Sequence, residues 1–64
     1  MKLLSIQAVR QIVLYSRQHI ARLEAAGSFP KRVRLGVGRV GWIEQEVLDW
    51  LNDRIAERDA VKGS

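Results

Sequence analysis

Between Lys31 and Trp42 the chain reads KRVRLGVGRVGW, a run in which Lys31, Arg32, Arg34 and Arg39 surround three glycines. Cationic side chains at this density bind phosphate, and the backbone N–H groups of glycine-rich turns can do the same. Within the run, GVGRVG matches GxGxxG, the glycine fingerprint of dinucleotide-binding folds. That fingerprint needs a helix opening at its glycines and a second parallel strand beyond the helix. Here Val40 and Trp42 continue a period of two, and a chain of 64 residues has no room for the later strand. The spacing instead predicts a β-hairpin with its tip at Gly36-Val37-Gly38, where Gly36 and Gly38 supply positive φ and Gly41 keeps the outward face thin. Arg32, Arg34 and Arg39 are expected together on that outer face with no acid to neutralise them, opposite an apolar face of Val33, Leu35, Val40 and Trp42.

A second group with recognisable chemistry lies upstream, in SRQHIARLEAA from Ser16 to Ala26. On a helical wheel Ile20 and Leu23 face one way, and Arg17, Gln18, Ala21, Arg22 and Ala25 the other. Arg forks to guanine O6 and N7, Gln pairs with adenine N6 and N7, and alanines between them permit close approach to a groove. Arg17 and Gln18 occupy the first turn, the end that a recognition helix presents to base edges. The expected partner is therefore duplex DNA, with the helix in the major groove and the hairpin arginines either on phosphates or in the minor groove.

Other chemistry finds little support in the residue types. There is no cysteine, and His19 is the only histidine, without a second ligand or a nucleophile and acid beside it. Neither an enzyme, a metal, a cofactor nor a small-molecule substrate is expected, and His19 reads as a plain residue of a capping turn. Trp42 and Trp50 fall on inward positions and read as core. The acidic positions Asp49, Asp53 and Glu57 read as a solvated face that could contact the basic surface of a neighbouring copy.

The elements that must position these groups follow from caps and periods. Ser5 is an N-cap and Leu4 with Val9 a hydrophobic staple, so a first helix is expected over Ile6 to Val13. Ser16 repeats the arrangement with Tyr15 and Ile20, and Gly27 ends the second helix. Only Leu14 and Tyr15 separate the two, which makes a helix-turn-helix. Phe29 is expected to anchor the junction before the hairpin. A third helix is expected from Glu44 to about Glu57, with Ile43, Val47, Leu48, Trp50, Leu51 and Ile55 toward the core. The fold class is thus α+β, mainly helical: a small winged helix-turn-helix over residues 1–58 and a frayed tail over 59–64.

The charge distribution agrees with a polyanion partner. Through residue 43, Lys2, Arg10, Arg17, Arg22, Lys31, Arg32, Arg34 and Arg39 stand against Glu24 alone, and from Glu44 onward acids outnumber bases. No apolar run reaches membrane-spanning length and no signal peptide is recognisable, so the expected location is the cytoplasm.

LLSIQAVRQIV, SRQHIARLEAAGSFPKRVRLG and RVGWIEQEVLDWL closely resemble the AlpA family of phage and prophage regulators, relatives of small excisionases and of MerR-type helix-turn-helix proteins. The resemblance runs from about residue 3 to residue 56. It implies a DNA-binding transcriptional regulator or excision factor, and it points to Ser16, Arg17, Gln18 and Arg22 and to the basic wing. Two positions depart from the pattern: the first turn holds Leu14-Tyr15 where a glycine is frequent, and position 8 is alanine where an acid is frequent. Lacking the long C-terminal coiled coil of larger MerR-type proteins, the chain is expected to be a monomer or weak dimer, with several copies possible on DNA. The competing reading from another class is a protein-interaction adaptor that uses the basic face and the third helix.

Overall fold

The computed structural model of the chain describes residues 1–62. In chain order these form β1 (Leu3–Leu4), α1 (Ile6–Val13), α2 (Arg17–Ala25), β2 (Val33–Gly36), β3 (Arg39–Ile43) and α3 (Glu44–Lys62). A helix-turn-helix followed by a hairpin wing and a third helix is the winged arrangement that the sequence predicts.

Both short helices begin as their serines dictate. Ser5 Oγ accepts the Ala8 N–H at 3.2 Å and Ser16 Oγ accepts the His19 N–H at 3.1 Å, satisfying donors that a helix start leaves free. α1 ends differently from α2. Its C-cap, Leu14, adopts the left-handed conformation at φ 62°, and its N–H donates to the Arg10 carbonyl. No other non-glycine residue among those described has a positive φ. α2 closes at Gly27, φ 77°, with Gly27 N–H on the Glu24 carbonyl and Ser28 N–H on the Leu23 carbonyl. That is the paired closure of a Schellman motif.

The hairpin belongs to a three-stranded antiparallel sheet of order β1-β3-β2. β1, which two leucines could not announce by any period, pairs Leu3 with Ile43 and Leu4 with Trp42. β2 pairs Val33 with Gly41 and Arg34 with Val40, then shifts register so that Gly36 faces Arg39. Leu35 is the extra residue of this bulge. Side chains alternate along a strand and paired residues share a face. One face therefore carries Trp42, Val40, Arg34 and Arg32, and the other Leu3, Ile43, Gly41, Val33 and Arg39. This corrects the expected alternation, in which Val33 and Leu35 lined the inner face and the three arginines shared the outer one. Gly41 does oppose Trp42, but it is buried: a Cβ there would lie 3.1 Å from Leu35 Cδ1 and 3.4 Å from the Leu4 carbonyl.

The core takes one residue from each helix, from β1, from β3 and from the junction before β2: Leu4, Val9, Ile20, Phe29, Trp42 and Val47 are buried. Burial of side chains of this size stabilises by about 1.5–3 kcal/mol each. Trp50 packs half-buried on this cluster, its ring edge-on to Phe29 at 4.9 Å and its indole N–H donating to the Ser28 carbonyl at 2.7 Å. α3 extends beyond the expected end near Glu57, so residues 59–62 continue the helix where a frayed tail was expected; residues 63 and 64 lie outside the described residues. The core-facing stripe of α3 is shorter than its sequence pattern, since Leu48 and Ile55 are exposed. Beyond Leu51 the residues of α3 are exposed as far as residue 60.

Candidate nucleic-acid interface

The Ser16 cap fixes where α2 begins, and Ile20, fully buried, fixes which way it is turned. Those two constraints leave Arg17, Gln18, Ala21, Arg22 and Ala25 exposed, on the side that the wheel assigned to a partner. Ser16 contributes through its cap, because its hydroxyl accepts from the His19 amide. The His19 ring packs on Tyr15 at 4.3 Å, which gives it a structural place in the turn. Arg17 stands at the positive end of the helix dipole, a placement that costs a few tenths of a kcal/mol or more and adds to the positive potential there.

The wing approaches α2 through its Trp42 face. Arg17, Gln18 and Ala21 on the helix and Arg32, Val40 and Trp42 on the wing line one cleft of about 490 Å³. Arg34 shares the wing face of Val40, and with Arg39 it lines a smaller hollow at the hairpin tip, around Val37 and Gly38. Arg39 belongs to the opposite face, so the tip presents one arginine on each side. Gly38, at φ 70°, is the left-handed position of the turn, whereas Gly36, at φ 159°, is nearly extended. The glycines of GVGRVG thus shape a hairpin tip that continues into β3, and no helix opens at them.

Arg32 departs from expectation. Its backbone N–H donates to Glu24 Oε2 at 2.9 Å, its Nη2 to Oε1 at 2.6 Å, and its Nε to both carboxylate oxygens at 3.2 Å. Glu24 is therefore the acid that neutralises one member of the basic cluster, and it does so from α2. The Arg32 guanidinium also stands 4.9 Å over the Trp42 ring, a cation–π contact. Burial raises the Glu24 carboxyl, but the hydrogen bonds and charge of Arg32 outweigh that and hold it below the ordinary carboxylate value. The hydrogen bond to Glu24 in turn raises Arg32 above the usual guanidinium value, against the opposing effect of its own burial. Helix, junction and wing are clamped together by this one pair. Sequence reasoning missed it, although Glu24 is the only acid in the first 43 residues, and a lone acid in a basic segment was a signal.

Among the described residues Arg17, Arg22, Arg34 and Arg39 have no ion pair, while Lys2 reaches Glu44 at 3.6 Å and Arg32 is held by Glu24. A broad groove between α3 and the junction is lined by Phe29, Pro30 and Trp50, by the acids Glu46, Asp49 and Asp53, and by the bases Lys31 and Arg54. Six of the seven acids lie along α3, whereas the unpaired Arg17, Arg22, Arg34 and Arg39 lie on α2 and the wing and the unpaired Arg10 on α1.

Comparison with known proteins gives this geometry a context. The chain is 37% identical over 57 residues to the uncharacterized protein ORF88 of Enterobacteria phage P4, an alignment covering 89% of this chain and 65% of that protein. It is 56% identical over 27 residues to the DNA-binding transcriptional activator AlpA of Escherichia coli (strain K12), covering 42% of this chain and 39% of that one. It thus spans less than two thirds of the length of either relative. The model of the family described as prophage CP4-57 regulatory protein (AlpA) matches residues 2–55. Matched along nearly all of its helix-turn-helix, wing and α3 core, the chain belongs to the AlpA family.

Proposed function

We propose that the chain is a sequence-specific duplex-DNA-binding regulator of phage or prophage type, acting on transcription or on excision. The observation that carries this reading is the set of exposed, unpaired groups Arg17, Gln18 and Arg22 on α2, next to a wing whose Arg34 faces the same side. α2 enters the major groove with Arg17, Gln18 and Arg22 on base edges and Ala21 allowing close approach. Arg34 and Arg39 contact phosphates or the minor groove on either side of the wing tip, and Arg32 supports the wing against α2. The name of the Escherichia coli relative, a DNA-binding transcriptional activator, supports the same reading.

No helix among the described residues is long and apolar enough to cross a membrane, and a DNA regulator of this kind works in the cytoplasm. The domain acts as a monomer or weak dimer in solution, with further copies joining on DNA.

The test is binding to a random duplex of about 20 base pairs at low salt, followed by footprinting across the promoter and attachment site of the neighbouring element. Non-specific affinity in the range of about 10⁻⁴ to 10⁻⁶ M and a discrete footprint are expected. Weaker binding with no footprint rejects the reading and favours an adaptor for acidic proteins.

A further inference from the structure

Leu14 is a residue that folding does not account for. It holds the left-handed conformation, φ 62° and ψ 25°, which an L-residue adopts only at a cost in stability. Because 84% of its surface is exposed, little internal contact offsets that cost. Strain kept at a surface position points to a role outside the fold. Leu14 stands as an apolar knob at the corner between α1 and α2, beside Arg10, which is exposed and has no ion pair among the described residues. Neither residue has a part in the DNA-binding reading.

A surface that matches this corner lies elsewhere on the same molecule. The groove between α3 and the junction, about 800 Å³ in volume, is lined by the apolar Phe29, Pro30 and Trp50 and by Glu46, Asp49 and Asp53. Those three acids are exposed, and none has an ion pair among the described residues. Of the two bases that also line the groove, Arg54 is already paired with Glu57. An apolar side chain with a cation beside it thus finds both of its complements in one place.

We propose that this groove is the docking site for the Leu14 corner of a second copy of the chain, with Leu14 against Phe29, Pro30 and Trp50 and Arg10 on the acids. Corner and groove have no lining residue in common, so one copy presents its corner while it receives another's. Such a contact is heterologous and adds copies head to tail. Arg17, Gln18, Arg22, Arg34 and Arg39 line neither surface, and the assembly leaves them free. The proposal rests on the DNA-binding reading for the use of the assembly, in which further copies join on a duplex, whereas the contact itself needs no DNA.

Sedimentation velocity of the full chain without DNA, at low salt and rising protein concentration, tests the contact. The wild-type chain is expected to associate and to grow past the dimer. Leu14→Gly keeps the fold, since glycine suits the left-handed conformation, and is expected to weaken association roughly tenfold, as for one leucine withdrawn from an interface. Asp53→Arg, at an exposed and unpaired position, is expected to weaken it severalfold by placing like charges together; Arg10→Glu added to the same chain is expected to restore it. A wild-type chain that stays monomeric up to about 1 mM, or a Leu14→Gly variant that associates as the wild type does, overturns the proposal. If Leu14→Gly instead weakens duplex binding with association unchanged, the corner touches DNA and the proposal is likewise overturned. Duplex binding by a chain that does not associate leaves the DNA reading standing alone, and association without duplex binding does the reverse.

Discussion

Leu14 offers the sharpest test of how the helix-turn-helix is built. It is the C-cap of α1 at φ 62° and ψ 25°, and 84% of its surface is exposed. An L-residue held in the left-handed region costs about 1–2 kcal/mol, because its Cβ crowds the following carbonyl. Glycine removes that cost but has more freedom to lose on folding, about 0.5–1 kcal/mol. So little of Leu14 is buried that the lost contact is worth only about 0.3 kcal/mol at the usual value for a leucine. Leu14→Gly is therefore expected to stabilise the domain by about 0.5 kcal/mol, a rise in Tm of roughly 2–4 °C at this chain length. Leu14→Ala supplies the control: it removes the same exposed side chain but keeps a Cβ in the left-handed conformation, so it is expected to fall at or slightly below wild type. Urea and thermal unfolding of the three proteins measure the differences. If Leu14→Gly proves no more stable than Leu14→Ala, the turn is not strained and the reasoning fails.

The clamp gives a pH-dependent expectation. Because the folded Glu24 carboxyl titrates below its ordinary value, its stabilisation is present above the unfolded pKa and is lost as pH falls through the folded one. Glu24→Gln is thus expected to cost about 1–2 kcal/mol at pH 7, a range that allows for the partly exposed Arg32, and the gap to wild type should narrow as pH falls below the ordinary carboxylate range; a gap constant with pH would refute the pairing. Ser16→Ala should lower stability by about 1 kcal/mol through the lost cap, measured by thermal unfolding. On DNA, Arg22→Ala is expected to lose about 1–3 kcal/mol on a cognate site and little on random duplex; equal losses would remove its base-reading role. Arg34→Ala should weaken binding on all sequences and flatten the salt dependence by about one unit, and an unchanged slope would show that it touches no phosphate.

The parts of this fold that were legible in the sequence are those specified by neighbours along the chain. Ser5 and Ser16 start their helices, Gly27 ends α2, and the bounds of α1 follow from residues within it. The exposed face of α2 was legible because one buried residue, Ile20, fixes the rotation of a whole helix. What escaped depends on pairing between distant segments. Leu3 and Leu4 become a strand only because β3 offers them an edge, and two residues carry no period that could announce it. Glu24 and Arg32 are eight residues apart across a Schellman turn and a proline junction, so neither wheel nor alternation brings them together. The length of the α3 stripe failed for a related reason: its apolar positions run to Ile55, but the core cluster takes in only Val47, with Trp50 packed against it.

The wing shows most clearly how a local irregularity decides which residues share a surface. The two-residue tip puts Gly36 across from Arg39; continued without interruption, that register would set Leu35 across from Val40 and Val33 across from Trp42. That is the apolar inner face read from the sequence. The bulge at Leu35 shifts every residue before it by one, and in a strand a shift of one exchanges the two faces. Arg32 and Arg34 are thereby turned toward α2, while Val33 and Leu35 pass to the face that covers Gly41. The exchange tells why Glu24 can reach Arg32 at all, and why the cleft beside α2 is lined by guanidinium groups. It also leaves Arg39, beyond the tip and unaffected by the shift, alone on the other face. A regular hairpin of the same composition would hold all three arginines away from α2, and the basic wing and α2 would then present separate surfaces. One extra residue in β2 joins them into a single continuous surface.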